Sequence, residues 1–162
     1  MRVYTLEREQ VLPWTPDEVF PFFADARNLE AITPPFLRFS VVTPAPIELG
    51  AGTFIQYRLR LHGLPVNWLT AIQAWDPPHR FVDVQVRGPY ALWHHTHELE
   101  SHADGALMRD IVRYSLPLGP LGALAHAAFV RRDIERIFDY RAAASPSKIR
   151  LAPGSSPGFS AR

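Results

Sequence analysis

Residues 91–116 read ALWHHTHELESHADGALMRDIVRYSL, two alternating runs that meet at one short turn. Ala91–Glu100 and Ala106–Leu116 are expected as strands, with Ala103-Asp104-Gly105 as the turn between them. Successive side chains on a strand take opposite faces. Trp93, His95 and His97 therefore share one face, and His94, Thr96 and Glu98 share the other. A turn at Ala103-Asp104 sets Trp93 opposite Tyr114, His95 opposite Val112 and His97 opposite Asp110. The face that holds Trp93, Met108, Val112 and Tyr114 must be the inner one, which sends Arg109 and Arg113 to solvent.

Working back along the chain, Phe54–Leu61 alternates in the same way. Ile55, Tyr57, Leu59 and Leu61 face inward, and Gln56, Arg58 and Arg60 form a solvated outer face. His62-Gly63-Leu64-Pro65 turns the chain into Val66–Trp75, and Asp76-Pro77-Pro78 turns it into Arg80–Val86. A turn at Gly63-Leu64 pairs Leu59 with Trp68, Tyr57 with Thr70 and Ile55 with Ile72. A turn at Pro77-Pro78 brings Asp83 opposite Ile72 and Gln85 opposite Thr70. The Gly88-Pro89 connection then needs a bulge to keep Asp83 and Trp93 on one face. Leu37–Val42 reads as a shorter strand before the Pro44–Gly52 turn region, and Tyr4–Leu12 as the first strand of all.

Between the first two strands lies Thr15-Pro16-Asp17-Glu18. Thr15 suits a helix cap, Pro16 the first helical position and Glu18 the third, followed by apolar Val19, Phe20, Phe22 and Phe23. A second short helix is expected over Asp25–Ala31, ending before Pro34-Pro35. At the far end, Ala123, Ala127, Val130, Ile134, Ile137, Phe138 and Arg141 recur at helical spacing. A helix over Leu121–Arg141 would be roughly 30 Å long, enough to cross a sheet. Gly122, Ala123, Ala125, Ala127 and Ala128 leave room beside that sheet, for a cavity or for close packing. Tyr140-Arg141 reads as an anchor for the helix end. After Ala144 the Ser/Pro/Gly-rich stretch reads as a flexible tail, giving one domain over 1–144 and a tail over 145–162. The fold class is α+β, a curved antiparallel sheet of about seven strands under one long helix.

Composition narrows the function classes. Lys and Arg total 17 against 16 Asp and Glu, and no basic run occurs, so nothing points to nucleic acid. Cysteine is absent, which removes disulfides, thiolate catalysis and Cys-ligated zinc. The first residues lack the apolar run of a signal peptide, and no stretch is long enough for a membrane span. A cytoplasmic monomer or homodimer without a cofactor is expected. Phosphate loops, nucleophile elbows and His-Glu-x-x-His are missing.

Several segments resemble one superfamily. Asp25-Ala26-Arg27-Asn28-Leu29-Glu30-Ala31-Ile32-Thr33-Pro34-Pro35, Gly88-Pro89-Tyr90 and Trp93-x-His95-x-His97 are similar to the SRPBCC (START/Bet v 1-like) superfamily. So are Met108-x-Asp110-x-Val112-x-Tyr114-x-Leu116-Pro117 and Ile137-Phe138-Asp139-Tyr140-Arg141. The branch they resemble is the ligand-binding, polyketide cyclase-like one found beside epimerase-like proteins. The resemblance implies a helix-grip fold whose sheet, two short helices and long C-terminal helix enclose a cavity for a small hydrophobic or amphipathic molecule. It also implies two alternatives, a polyketide cyclase or dehydratase, and an interaction module for an epimerase-like partner.

The inner face expected from the pairings carries Tyr57, Trp68, Thr70, Asp83, Gln85, Trp93, His95, His97, Met108, Asp110, Val112 and Tyr114 as candidate ligand-binding residues. So many polar groups on an inner face must be paired or wet. Pairs His97–Asp110 and His95–Asp83 would close a structural network. The same groups would equally orient the polar end of a ligand. They would also serve acid/base chemistry, with His97 or His95 as base, Asp110 as its orienter, and Tyr114 or Tyr57 as proton donor. His-x-His with Asp110 as third ligand is the minor, metal-binding reading, and the expected metal content is none.

Overall fold

The computed structural model describes residues 1–151. Seven antiparallel strands form one sheet: β1 (Tyr4–Leu12), β2 (Ser40–Val41), β3 (Phe54–Leu61), β4 (Leu64–Asp76), β5 (Arg80–Arg87), β6 (Leu92–His102) and β7 (Gly105–Ser115). Their order is β1-β7-β6-β5-β4-β3-β2, so the first strand lies beside the last and the rest form a meander.

The β6–β7 hairpin has the expected register, with Trp93 facing Tyr114, His95 facing Val112 and His97 facing Asp110. A side chain at Gly105 would run into the Leu12 carbonyl, so this turn admits only glycine where it meets the end of β1. The β3–β4 hairpin slips by two residues from expectation: Tyr57 faces Trp68 and Ile55 faces Thr70. The reason is the turn itself. His62 and Gly63 both take positive φ, as a tight two-residue hairpin requires, which makes Leu61 and Leu64 the closing pair. An even slip leaves every side chain on its expected face. No bulge is needed between Asp83 and Trp93. Asp83 faces His95, the β5–β6 ladder ends at Val84–His94, and the irregularities lie in the β4–β5 ladder instead.

Helix α1 (Pro16–Phe23) starts as its cap predicts. The Glu18 carboxylate accepts from the Thr15 amide at 2.8 Å and from the Thr15 hydroxyl at 2.9 Å. Replacing Thr15 by Ala is expected to cost about 1 kcal/mol, read as a lower midpoint in urea unfolding at unchanged slope. The second short helix, α2 (Asn28–Ala31), is briefer than expected. The strand expected at Leu37–Val42 shrinks to two residues because Pro35–Leu37 form a 3-10 turn and Arg38 is left-handed.

The long helix differs most from expectation. It consists of α3 (Pro120–Ala125), a π turn at His126–Val130 and α4 (Arg131–Leu151). The π turn holds one residue more than an α turn, so the face before it shifts by one position. Gly122 and His126 are buried there in place of Ala123 and Ala127. The helix also runs past Ala144 with Pro146 inside it, and Ser145 and Ile149 are buried. Pro146 has no amide to give to the carbonyl four residues back. The Gln10 side chain supplies that bond, donating to Ala142 O at 2.7 Å. The tail expected over 145–162 is therefore helical to Leu151, and its remainder lies outside the described residues. No described helix is long and apolar enough to cross a membrane.

The core falls into three clusters. One joins α1 to Met108, Leu99 and Ile149, one packs Ile134 and Phe138 on β1 and β7, and one lines β3 and β4 with Ile55, Tyr57 and Ile72. The space between them is the candidate site.

Candidate functional site

Three adjacent strands aim one polar residue type after another at the same place. Asp83 comes from β5, His95 and His97 from β6, and Asp110 from β7. They form a closed box rather than the two expected pairs. His95 Nε2 donates to Asp110 Oδ1 at 2.7 Å, and His97 Nε2 donates to Asp83 Oδ2 at 2.9 Å. These bonds cross the strand register. The directly opposed contacts are longer, with His97 Nδ1 at 3.1 Å from Asp110 Oδ1 and His95 Nδ1 at 3.4 Å from Asp83 Oδ2. Each carboxylate thus touches both rings. The imidazoles lie 3.7 Å apart, Phe81 stacks on His97 at 3.9 Å, and Phe138 meets His95 edge-on.

Asp83, His95 and His97 also form part of the wall of a cavity of about 140 Å³. Of the candidate residues, Tyr57, Trp68, Thr70 and Trp93 also line it. Trp68, Tyr90 and Trp93 make an aromatic corner with ring centroids 4.9–5.6 Å apart, and Trp68 donates to Thr70 Oγ1 at 3.0 Å.

The other expected lining residues sit elsewhere. Gln85 holds both backbone groups of Tyr90, donating to its carbonyl at 2.7 Å and accepting from its amide at 3.2 Å. Met108 is in the core with the α1 phenylalanines, and Val112 and Tyr114 pack beneath α4. Asp110 backs the imidazoles and faces a separate hollow of about 30 Å³, shared with Arg8, Gln10, Phe138 and Arg141. The β7 residues share a cause: the cavity borders β3–β6, while Val112 and Tyr114 on β7 lie directly under the helix.

No family model and no curated protein matches the sequence. Solved structures do match over nearly the whole chain. Ara h 8.0201 is 18% identical, covers 93% of this chain and 100% of its own, with a TM-score of 0.68. TTHA0849 from Thermus thermophilus is 20% identical, with 95% and 100% covered and a TM-score of 0.69. CV1439 from Chromobacterium violaceum is 14% identical, with 91% and 99% covered and a TM-score of 0.70. The chain has the Bet v 1-like helix-grip fold.

In this helix-grip domain the helix brings residues that strand reasoning passed over. Ile134, Ile137, Phe138 and Arg141 all line the cavity, with Tyr90, Leu37 and Phe39 from the connections. The helical spacing already placed Ile134, Ile137, Phe138 and Arg141 on one face, which was the available signal. Tyr140, expected to share an anchoring role with Arg141, is exposed. The Arg141 guanidinium lies 4.9 Å from the Phe138 ring centroid, and among the described residues its buried Nε has no hydrogen-bond partner.

The helix-grip interior sets the charge state of the box. Burial pushes the Asp83 carboxyl up, but the charge of His95 and bonds from His95 and His97 outweigh it and hold it far below the usual carboxylate range. Asp110 is likewise held low, burial being outweighed by its bonds from the same two rings. Burial pushes His95 down, yet the Asp83 charge and the bonds to Asp110 and Asp83 raise it overall. Burial and the neighbouring Asp83 charge push the Tyr57 phenol up, keeping it neutral. At the other end of the helix, His126 stacks on Tyr4 and bonds the Tyr114 hydroxyl at 2.9 Å; burial, with Arg131 and Arg2, holds it neutral. That contact takes Tyr114 out of the cavity's chemistry.

Proposed function

We propose that the protein binds a small amphipathic molecule of about single-ring size in this cavity. The observation that carries the reading is a small set of polar groups in a mainly apolar wall. Asp83, His95, His97 and Arg141 carry its ionic groups, Thr33, Thr70 and Tyr57 add hydroxyls, and the rest is aromatic and aliphatic. Such convergence of a few polar groups in an apolar pocket is the usual design of a ligand site.

Volume sets the size of the guest. Drug-sized ligands occupy roughly 300–1,000 Å³, and a cavity of roughly 150 Å³ takes benzene. At about 140 Å³, a single ring with a polar substituent fits and a long lipid does not.

Ile137 is half-buried on the cavity wall and is not one of the box residues. Replacing it by Trp fills the space. Single-ring phenols and aromatic acids are expected to bind wild type and to lose at least about 100-fold in affinity to the variant, as binding a preformed cavity requires open volume. Isothermal titration reads the affinity, and urea unfolding verifies that the variant still folds. Equal binding by wild type and Ile137→Trp would sink the proposal.

A second reading keeps the site and adds chemistry. Asp110 behind two imidazoles is the arrangement of a base and its orienter. Tyr57 is then the proton donor, since Tyr114 is engaged with His126. Polyketide-like substrates would be turned over by wild type and not by His97→Gln, while binding survives.

A further inference from the structure

The structure assigns Asp83, His95 and His97 as a binding site for one divalent transition-metal ion of the zinc class. Asp110 is the outer partner of both imidazoles. This goes beyond ligand binding in the cavity and does not depend on it.

The donor spacing comes first. Asp83 Oδ2 lies 2.9 Å from His97 Nε2 and 3.4 Å from His95 Nδ1. Ligand atoms of all three residues fall within 4.8 Å of one another. Zinc bonds of about 2.0–2.1 Å in a tetrahedron put neighbouring donors roughly 3.3 Å apart. The two carboxylate-to-imidazole distances lie within a few tenths of an ångström of that spacing. Two imidazoles and one carboxylate suit such an ion, and three protein ligands leave a fourth position free.

The far edges of the rings provide the second observation. His95 Nε2 and His97 Nδ1 both face Asp110 Oδ1, at 2.7 and 3.1 Å. A metal-bound imidazole normally gives its other N–H to a carboxylate, which fixes its tautomer. Here Asp110 accepts from His95 and lies close to the corresponding nitrogen of His97.

The proton inventory is the third. A carboxylate only accepts, so all four ring nitrogens must carry protons to satisfy the box. That requires two imidazolium rings in contact. With fewer protons, a nitrogen lone pair faces an oxygen. The buried His97 Nδ1 lies 3.1 Å from Asp110 Oδ1 but is not aimed at it, and among the described residues it has no hydrogen-bond partner. An ion taking the lone pairs of His95 Nδ1 and His97 Nε2 leaves a proton on His97 Nδ1, and a small rotation of the ring would aim it at Asp110. The dication also balances the two carboxylates in a site where an unmatched charge is costly.

The free position faces usable space. Asp83, His95 and His97 all line the cavity, whereas Asp110 does not. An oxygen donor on a cavity ligand, or water, would complete the shell, with Arg141 on the same wall.

The test uses the metal alone. Chelator-stripped, folded protein is dialysed against Zn²⁺ or Co²⁺, and metal per chain is measured by elemental mass spectrometry. One equivalent is expected, with the visible bands of four-coordinate Co²⁺. His97→Gln should lose it, and Asp110→Asn should weaken it about 10–100-fold. Imidazole ¹⁵N spectra of wild type keep the test independent of variant folding. Zn²⁺ should shift His95 and His97 and leave His62, His79, His94, His102 and His126 in place. Substoichiometric metal in wild type, or shifts confined to those other histidines, overturns the assignment.

Discussion

Asp110→Ala is expected to lower the unfolding free energy by about 3–5 kcal/mol. The carboxylate is buried and contacts both His95 and His97. Removing it leaves two imidazoles in an apolar setting with one acceptor between them. The cost therefore exceeds the value of any single hydrogen bond, about 1 kcal/mol. The same groups predict the pH profile. Asp83 and Asp110 are depressed in the folded state. Their stabilisation is present above the ordinary carboxylate value of about 4 and is lost as pH falls below it. His95 is raised. Its stabilisation is full below about 6.5 and fades as pH rises through the higher folded value. The box is thus most stabilising between about pH 4 and 6.5. Urea unfolding across pH should show the acid limb in wild type and a shallower one in Asp110→Ala. A loss below about 1 kcal/mol would mean that the carboxylate is solvated rather than paired.

The second large effect is expected at Phe138. Its ring is buried with Leu6, Val112, Tyr114 and Ile134 and meets His95 edge-on. Phe138→Ala should cost about 3–5 kcal/mol through lost burial and the void left behind. Phe138 also borders both the main cavity and the hollow behind Asp110. The truncated side chain would join the two, so the variant should accept a larger guest than wild type while melting at a lower temperature. Thermal unfolding and competition between one-ring and two-ring aromatics test both halves. A variant that unfolds like wild type would show that this ring is not part of the core.

Faces were easier to read than partners. Alternation placed His95, His97 and Asp110 on the inner surface, and the Ala103-Asp104 turn was enough to set β6 against β7. The β3–β4 slip came from two turn positions of equal appearance, decided only by the positive φ of His62 and Gly63. Bond partners inside the box depend on strand twist and ring rotation, which residue spacing does not contain. Helix packing decided which half of the inner face stayed open, so Tyr57 and Trp68 line the cavity and Met108 and Val112 do not. The π turn and the helical residues past Ala144 were hidden because each depends on a distant partner: Tyr114 for His126, Gln10 for Ala142.

That last partnership ties two positions far apart in sequence to a common fate. The two positions are Gln10 and Pro146. The imino acid at 146 is tolerable because an amide side chain at 10 serves the carbonyl it abandons. In descendants of this gene the two sites should change as a couple. Wherever proline persists at 146, a donor should persist at 10; where proline has gone, position 10 is free to drift.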